Sequence, residues 1–551
     1  MKEEKHNTIL PVKRFWNLLK KYKIELRQIY AYALFIGMVN LTLPLGIQAI
    51  INFLQTGELT STWVILVCFV LIGIAITGTL QVLQLRIVEN IQQDIFARSA
   101  FEFAYRIPKI TFLQLDKIHA PELVNRFFDT ITIQKGLPKI LIDFSLVIFQ
   151  IVFGLILLAI YSPYFIVLGF ALTIILWLIL KITGPKGLDT SLKESKYKYQ
   201  LVHWLEEIAR VNSSFKLNAN SKFHLNKTDG IVQGYLVSRE KHFQVLINQF
   251  RLFIGFKVIL AAGLLVLGGY LVFQEQMNIG QFVAAEIIIL LIINSIEKVI
   301  RIIDSIYDVL TALEKIGYVT DLDLDKNNGE ATVILDCGLS IKAADIQFGF
   351  PAERNKIITD LSFEIAANEK VVLSGKSGSG KSLLLQILAG VHQIDDGELY
   401  INDMPFSNYQ RDQLYDNFGV SFSTNQIFEG TIRENIAMGR EVSEREIAEV
   451  LKILKLNDFI IHQSKGIDSF VDSGGRRLPR SIIQKLLIAR TIVNNPKLLL
   501  MEDPLQFIEE KDKISIINYL MDDARNWTVI VVSDFYYWKE KCSRVVNLNK
   551  L

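Results

Sequence analysis

The sequence predicts a multi-domain membrane protein: an all-α transmembrane domain of six helices, followed by an α/β domain built around a phosphate-binding loop. Three observations carry this. The chain is unusually apolar, its first three hundred residues hold about six stretches long enough to cross a bilayer, and a glycine-rich G-x-x-x-x-G-K-S turn follows a β-rich run further on.

At 551 residues the chain suits two large domains rather than one. Half of its residues are hydrophobic, 11% are aromatic, and the mean hydropathy is +0.30. Ordinary soluble proteins are rarely so apolar, which places part of the chain in lipid. A net charge of +2 points to no acidic partner and gives no footprint for nucleic acid. Cys68, Cys337 and Cys542 lie far apart with no metal-ligand spacing, and are expected to be ordinary buried thiols.

The basic residues Lys13, Arg14, Lys20, Lys21, Lys23 and Arg27 run up to the first apolar stretch, and no small-residue cleavage pattern follows it. That stretch is also too long for a signal core, so the expectation is a retained anchor. The apolar stretches run over 29–54, 63–85, 140–161, 164–182, 252–273 and 282–302, each near the ~20 helical residues that a ~30 Å hydrocarbon core requires. The loops at 55–62, 162–163 and 274–281 are short and almost free of Lys and Arg. Those at 86–139 and 183–251 are long and basic, with Lys186, Lys193, Lys196 and Lys198 in the second. By the positive-inside rule the long loops, the N-terminus and the C-terminal half are cytoplasmic. Residues 86–112 and 194–215 carry apolar residues at helical spacing among charges, so the spans are expected to continue as helices beyond the membrane. Turns near His119–Arg126 or Glu206–Ser213 would then be carried to a partner domain. Within the spans, Asp143, Gln150, Lys257 and Glu286 are polar exceptions. They either face a cavity or partner, or, for Lys257 and Asp143, snorkel to a membrane surface.

From about Gly338 the pattern changes. Short β-rich runs at 370–373, 497–501 and 528–532 alternate with helical segments, which predicts a largely parallel sheet. At the first of these sits Gly375-Lys376-Ser377-Gly378-Ser379-Gly380-Lys381-Ser382. Glycines let the backbone wrap phosphates with its N–H groups inward, and the helix that follows adds its positive end. Lys381 is placed to supply a charge to the β- and γ-phosphates, and Ser382 a hydroxyl ligand to Mg²⁺.

Together these features resemble the ATP-binding cassette exporters, over nearly the whole sequence. The resemblance implies an ABC exporter half-transporter that binds ATP and Mg²⁺ and pairs with a second half-transporter, as a homodimer or heterodimer, in a bacterial plasma (inner) membrane. It implies an N-terminal segment at 1–26, a transmembrane domain at 27–320, a linker at 321–337 and a cassette at 338–551. Phe350, in Gln347-Phe348-Gly349-Phe350, falls where the family stacks an aromatic on adenine; without the family it reads equally as a core aromatic. The run from Gln426 to Ile436 (QIFEGTIRENI) matches the stretch just after the family's Q-loop, and Ile488-Ala489-Arg490-Thr491 also falls into place.

Against that pattern the sequence departs at several motif positions. The Leu-Ser-Gly-Gly-Gln signature maps onto Leu478-Pro479-Arg480-Ser481-Ile482. Pro479 has no N–H to give; either Arg480 supplies a cation to phosphate instead, or the proline simply starts the helix. Ser423 occupies the Q-loop glutamine position, with Gln426 three residues later. The Walker B pair reads Glu502-Asp503, so Glu502 is the expected Mg²⁺ ligand beside Ser382, and Asp503, one methylene shorter than usual, the expected base. The switch histidine falls on Asp534, whose negative charge should repel phosphate, and the D-loop aspartate falls on Glu509.

The expected function is ATP-dependent export by a dimer with slow or atypical hydrolysis. The segment Pro44–Asn52 resembles exporters that secrete peptides or proteins with a membrane-fusion adaptor. Two alternatives are a non-hydrolysing ATP-binding scaffold or regulatory subunit, and a lipid or drug flippase partner whose catalytic chain is separate.

Overall fold

The computed structural model describes residues 10–56, 61–115, 118, 120–218, 220–325, 329–331, 337–350 and 356–548. It divides into two compact units, residues 1–110 with 114–323, and residues 111–113 with 324–551.

The regular structure described in the first unit is almost entirely helical. Its main helices are α1 (Lys23–Val39), α2 (Thr42–Thr56), α3 (Ser61–Arg106), α4 (Phe144–Tyr161), α5 (Tyr164–Arg210), α6 (Phe223–Phe273) and α7 (Ile279–Thr320). Six helical segments among the described residues are long and apolar enough to span a membrane, and they contain the six predicted stretches to within a residue. The continuation of spans as helices also holds: α3 runs to Arg106 and α5 to Arg210. At ~1.5 Å per residue, helices of this length reach ~70 Å, about twice a hydrocarbon core.

Local chemistry explains the breaks. Pro44 lies in the first turn of α2, where its missing N–H costs nothing, and the chain turns at Asn40–Leu41 before it. Pro138 ends a helix that begins at Asp129, and a π-helical turn, Lys139–Asp143, carries the chain into α4. Asn278 and Gln281 form a capping box that starts α7. The expected turn at Glu206–Ser213 is a single break at Val211. His119 lies outside the described residues, and the segment after it is helical (Ala120–Asn125) rather than a turn.

Phe165, Phe253, Leu260, Leu264, Ile288 and Ile296 form the buried core of the bundle. Outward-facing Phe69, Ile72, Val167, Phe170, Val258 and Val266 are each more than half exposed. Apolar faces of this extent on regular helices are what lipid requires, because the backbone is already satisfied within each helix.

The second unit is α/β. β3 (Lys370–Ser374), β6 (Phe418–Ser421), β9 (Leu498–Glu502), β10 (Thr528–Val532) and β11 (Arg544–Asn547) form a five-stranded parallel sheet in the order β11-β3-β10-β9-β6. β1 (Ile341–Phe348), β2 (Ile358–Ile365), β4 (Asp396–Ile401) and β5 (Met404–Pro405) form an antiparallel sheet, and β7 (Gly430–Thr431) pairs with β8 (Phe470–Val471). The three predicted strand runs are β3, β9 and β10. Their side chains are buried on both faces, as parallel strands covered by helices must be.

Candidate nucleotide site

The site lies at the carboxyl ends of the parallel strands, the usual crevice of such sheets. β3 ends at Ser374, the glycine-rich turn follows, and α8 (Lys381–Leu388) begins at once. Gly378 and Gly380 both have φ +82°, a left-handed conformation that side chains rarely adopt, and Gly380 is the residue that caps α8. The Lys381 ammonium folds back over the turn and donates to the carbonyls of Gly375 (2.8 Å) and Lys376 (2.9 Å). Ser379 Oγ is buried within the turn without a hydrogen-bond partner. A wrapped backbone, an inward cation and an orphaned hydroxyl together fit a polyanionic phosphate chain.

Parallel pairing brings the other predicted residues alongside. β9 lies between β10 and β6, with Glu502 at its end. Glu502 Oε2 accepts from the Ser423 backbone N–H (3.0 Å) and Ser423 Oγ (2.8 Å), and Ser382 also donates to its carboxylate. Burial works against the charged form of Glu502, but these donors outweigh it and hold the carboxyl below its ordinary range. An ionised carboxylate beside the Ser382 hydroxyl is a hard oxygen donor set suited to Mg²⁺.

Asp503 differs in every respect. Its backbone has φ +40°, and its N–H donates to Val532 O (2.8 Å). Asp is among the few side chains that tolerate this region, which gives the shorter acid at this position a backbone rationale. Burial pushes its carboxyl upward, as do the charges of Asp534 and Glu502, against a Ser533 hydrogen bond and the Lys381 charge. The residue is nonetheless solvent-exposed, and water limits that shift. Asp534 is exposed.

Other predicted residues resolve differently. Phe350 is half-buried and packs edge-on against Phe348 (5.3 Å) and His392 (5.8 Å). Pro479 is the cap of α9 (Arg480–Ile492), so the proline does start this helix, and the Arg480 guanidinium lies 5.1 Å over the Phe507 ring. The Gln426–Ile436 stretch is a structural knot. Buried Asn435 bonds the backbone of Phe428 in both directions and accepts from Arg490, while Thr431 and Glu434 form a capping box. Two contacts were not anticipated. Ser423 reaches Glu502, and Gln484 ties the Asp503 carbonyl (3.1 Å) to the Phe507 N–H (2.7 Å). Gln484 could have been noticed because it and Lys485 are the two polar residues in the run 482–488.

In the helical unit, Lys257 has a partner: its Nζ lies 2.7 Å from Glu297 Oε1. Gln150 Oε1 accepts from Ser295 Oγ at 3.0 Å. Gln150, Asn294, Ser295, Glu297, Lys298 and Arg301 line a cavity of about 350 Å³. Glu286 is half-buried and makes no ion pair among the described residues. The three cysteines are free thiols, but they are not buried as expected: Cys68 and Cys337 are exposed and Cys542 is half-buried.

A phosphate-binding turn and a strand-end carboxylate on a parallel sheet, in one chain with six membrane-spanning helices, define a nucleotide-driven membrane protein. The family model described as ABC transporter matches residues 358–506, and that described as ABC transporter transmembrane region matches residues 29–296. The chain belongs to the ABC transporters and is an exporter-type half-transporter, an integral multi-pass membrane protein with an ATP-binding domain. It is similar to the glutathione/L-cysteine transport system ATP-binding/permease protein CydC of Haemophilus influenzae, 27% identical over 35% of this chain and 34% of that one. It is also similar to the ATP-dependent lipid A-core flippase of Photobacterium profundum, 26% identical over 41% and 38%. These alignments span between a third and a half of each curated relative. In fold it matches a bacterial Atm1-family ABC exporter with ATP bound, with TM-score 0.82 and 17% identity over 96% of this chain and 93% of that one.

Proposed function

We propose that the chain works as half of a dimeric, ATP-driven exporter whose hydrolysis is slow. In this reading residues 27–320 form the membrane domain, 338–551 a cytoplasmic cassette joined through 321–337, and 1–26 a cytoplasmic lead-in, in a bacterial inner membrane. The observation that carries it is the convergence of Lys381, Ser382 and Glu502 at one strand-end crevice. The turn from Gly375 to Ser382, with Lys376, Ser377, Gly378, Ser379, Gly380 and Lys381, binds the phosphates, and Phe350 stacks on adenine. Ser382 and Glu502 hold Mg²⁺, which when bound neutralises developing phosphate charge. Asp503 takes the proton of the attacking water, and Asp534 opposes the reaction by placing negative charge beside it.

The polar cavity supports a cargo with an anionic group. Lys257 neutralises Glu297, while Lys298 and Arg301 share the charge of Asp143, which leaves the surroundings of the cavity positive. Ionisable residues in a span face a cavity or a partner rather than lipid. The names of the relatives, a thiol system and a lipid flippase, give two cargo classes, and adaptor-assisted peptide secretion, which Pro44–Asn52 resembles, gives a third.

The test is phosphate release by the purified chain in proteoliposomes, which Lys381→Ala and Asp503→Asn should each abolish. Release that survives both substitutions would refute the assignment. A second reading, a non-hydrolysing scaffold, is favoured by the negative charge of Asp534, which acts on Asp503 at the position where the family places its switch histidine. It predicts that ATP raises the melting temperature while no phosphate is released.

A further inference from the structure

Resting on the reading that this crevice holds Mg·ATP, we propose that Ser423 is a positioning residue for the metal-holding carboxylate, and that Ser423 and Glu502 form a compensated exchange. The family pattern has a glutamine at the position of Ser423 and an Asp-Glu pair at that of Glu502-Asp503, so residue 423 has lost a long amide and residue 502 has gained a methylene. The structure shows why the two changes belong together. β6 and β9 are adjacent parallel strands with Ser421 level with Met501. Their ends therefore deliver residue 423 and residue 502 to the same spot. The longer Glu502 side chain carries its carboxylate far enough that Oε2 meets both the N–H (3.0 Å) and the hydroxyl (2.8 Å) of Ser423. A hydroxyl is short enough to grip that oxygen from the side, whereas a glutamine side chain would extend past it into the crevice. With Oε2 held by Ser423, and with Ser382 also donating to the carboxylate, the Glu502 side chain is fixed beside the hydroxyl with which it would share a cation.

A donor that orients a metal-ligating carboxylate commonly contributes about 10- to 100-fold in metal affinity. Here the backbone N–H remains in any side-chain variant and Ser423 is exposed, so the lower end applies. The experiment titrates Mn²⁺, as an EPR-active substitute for Mg²⁺, into the full-length detergent-solubilised protein with a non-hydrolysable ATP analogue. Analogue affinity in EDTA reports whether each variant retains a folded, phosphate-binding cassette. Ser423→Ala should weaken Mn²⁺ about 10-fold and broaden its bound spectrum, with analogue affinity in EDTA unchanged; Ser423→Thr should retain wild-type affinity. Glu502→Asp should also weaken Mn²⁺. Combined with Ser423→Gln it should bind better than the product of the two single effects, because the family's pairing is restored. Wild-type Mn²⁺ affinity and spectrum in Ser423→Ala, or single effects that simply multiply, would overturn the proposal and leave the nucleotide site intact. If the wild type itself binds no Mn²⁺ with the analogue, the proposed function fails as well.

Discussion

The two polar sites of this molecule are built in opposite ways. The nucleotide crevice gathers its phosphate-binding groups from eight consecutive residues, Gly375 to Ser382, and adds the ends of two neighbouring strands. The cavity of the helical unit draws Gln150 from α4 and Asn294, Ser295, Glu297, Lys298 and Arg301 from α7, with Lys257 reaching Glu297 from α6. In the first, backbone conformation makes the site and leaves little freedom in the residue types. In the second, helix packing makes the site and almost any polar side chain at the right turn will serve. The first should therefore fail abruptly on substitution, and the second should tolerate exchange as long as charge is balanced.

The largest effect tests the first half of that contrast. Lys381→Ala removes the ammonium that donates to two carbonyls of the phosphate turn, and should abolish nucleotide binding measured by titration calorimetry, not merely turnover. Retained affinity would mean that the turn binds through its backbone alone.

The second half is tested by the Lys257–Glu297 pair. Glu297→Ala should leave an unpaired ammonium in a span and lower the melting temperature, while the reversed pair Lys257→Glu with Glu297→Lys should recover most of it. A reversed pair no better than the single variants would show that local packing, not charge balance, decides this site.

The same contrast explains what could be read from sequence. The phosphate turn, β3, β9, β10 and all six spans were legible, because each is specified by a local pattern: glycine spacing, β-branched runs, or ~20 apolar residues in succession. The Lys257–Glu297 pair was not, since forty residues and a helix-to-helix register separate its members. Ser423 was marked only as a departure from a family pattern. Its partner became visible once the order β9-β6 and the register Ser421 to Met501 set the two strand ends together. The Gln426–Ile436 stretch shows the converse. It was the most recognisable signature outside the phosphate loop, yet its polar side chains bond its own backbone and Arg490.

Phe350 lies between the two extremes. Its ring packs on Phe348 and His392, so an alanine there removes core contacts as well as a surface for adenine. Phe350→Ala should weaken ATP by roughly 1–3 kcal/mol if the ring stacks on the base, and Phe350→Tyr should not. Melting temperatures measured without nucleotide separate the two roles. Unchanged affinity with a lowered melting temperature would leave Phe350 a core residue only.

The smallest expected effect concerns pH. Burial and the charges of Asp534 and Glu502 raise the Asp503 carboxyl, whereas hydrogen bonds from Ser382 and Ser423 lower that of Glu502 against its burial. As pH falls, the raised Asp503 carboxyl takes up its proton at a higher pH than an ordinary aspartate, and the proposed base is lost there. The acid limb of phosphate release should therefore lie above the ordinary aspartate range. Asp534→Asn removes one of the charges that raise Asp503, so the limb should move to lower pH. A raised carboxyl favours the folded state when protonated, and that contribution is lost as pH rises through its folded pKa. The same substitution should therefore also raise stability at neutral pH. A limb that stays in place in Asp534→Asn would separate Asp534 from the proposed base, and would leave the proposed slowing of hydrolysis to the helix that Pro479 and Arg480 begin.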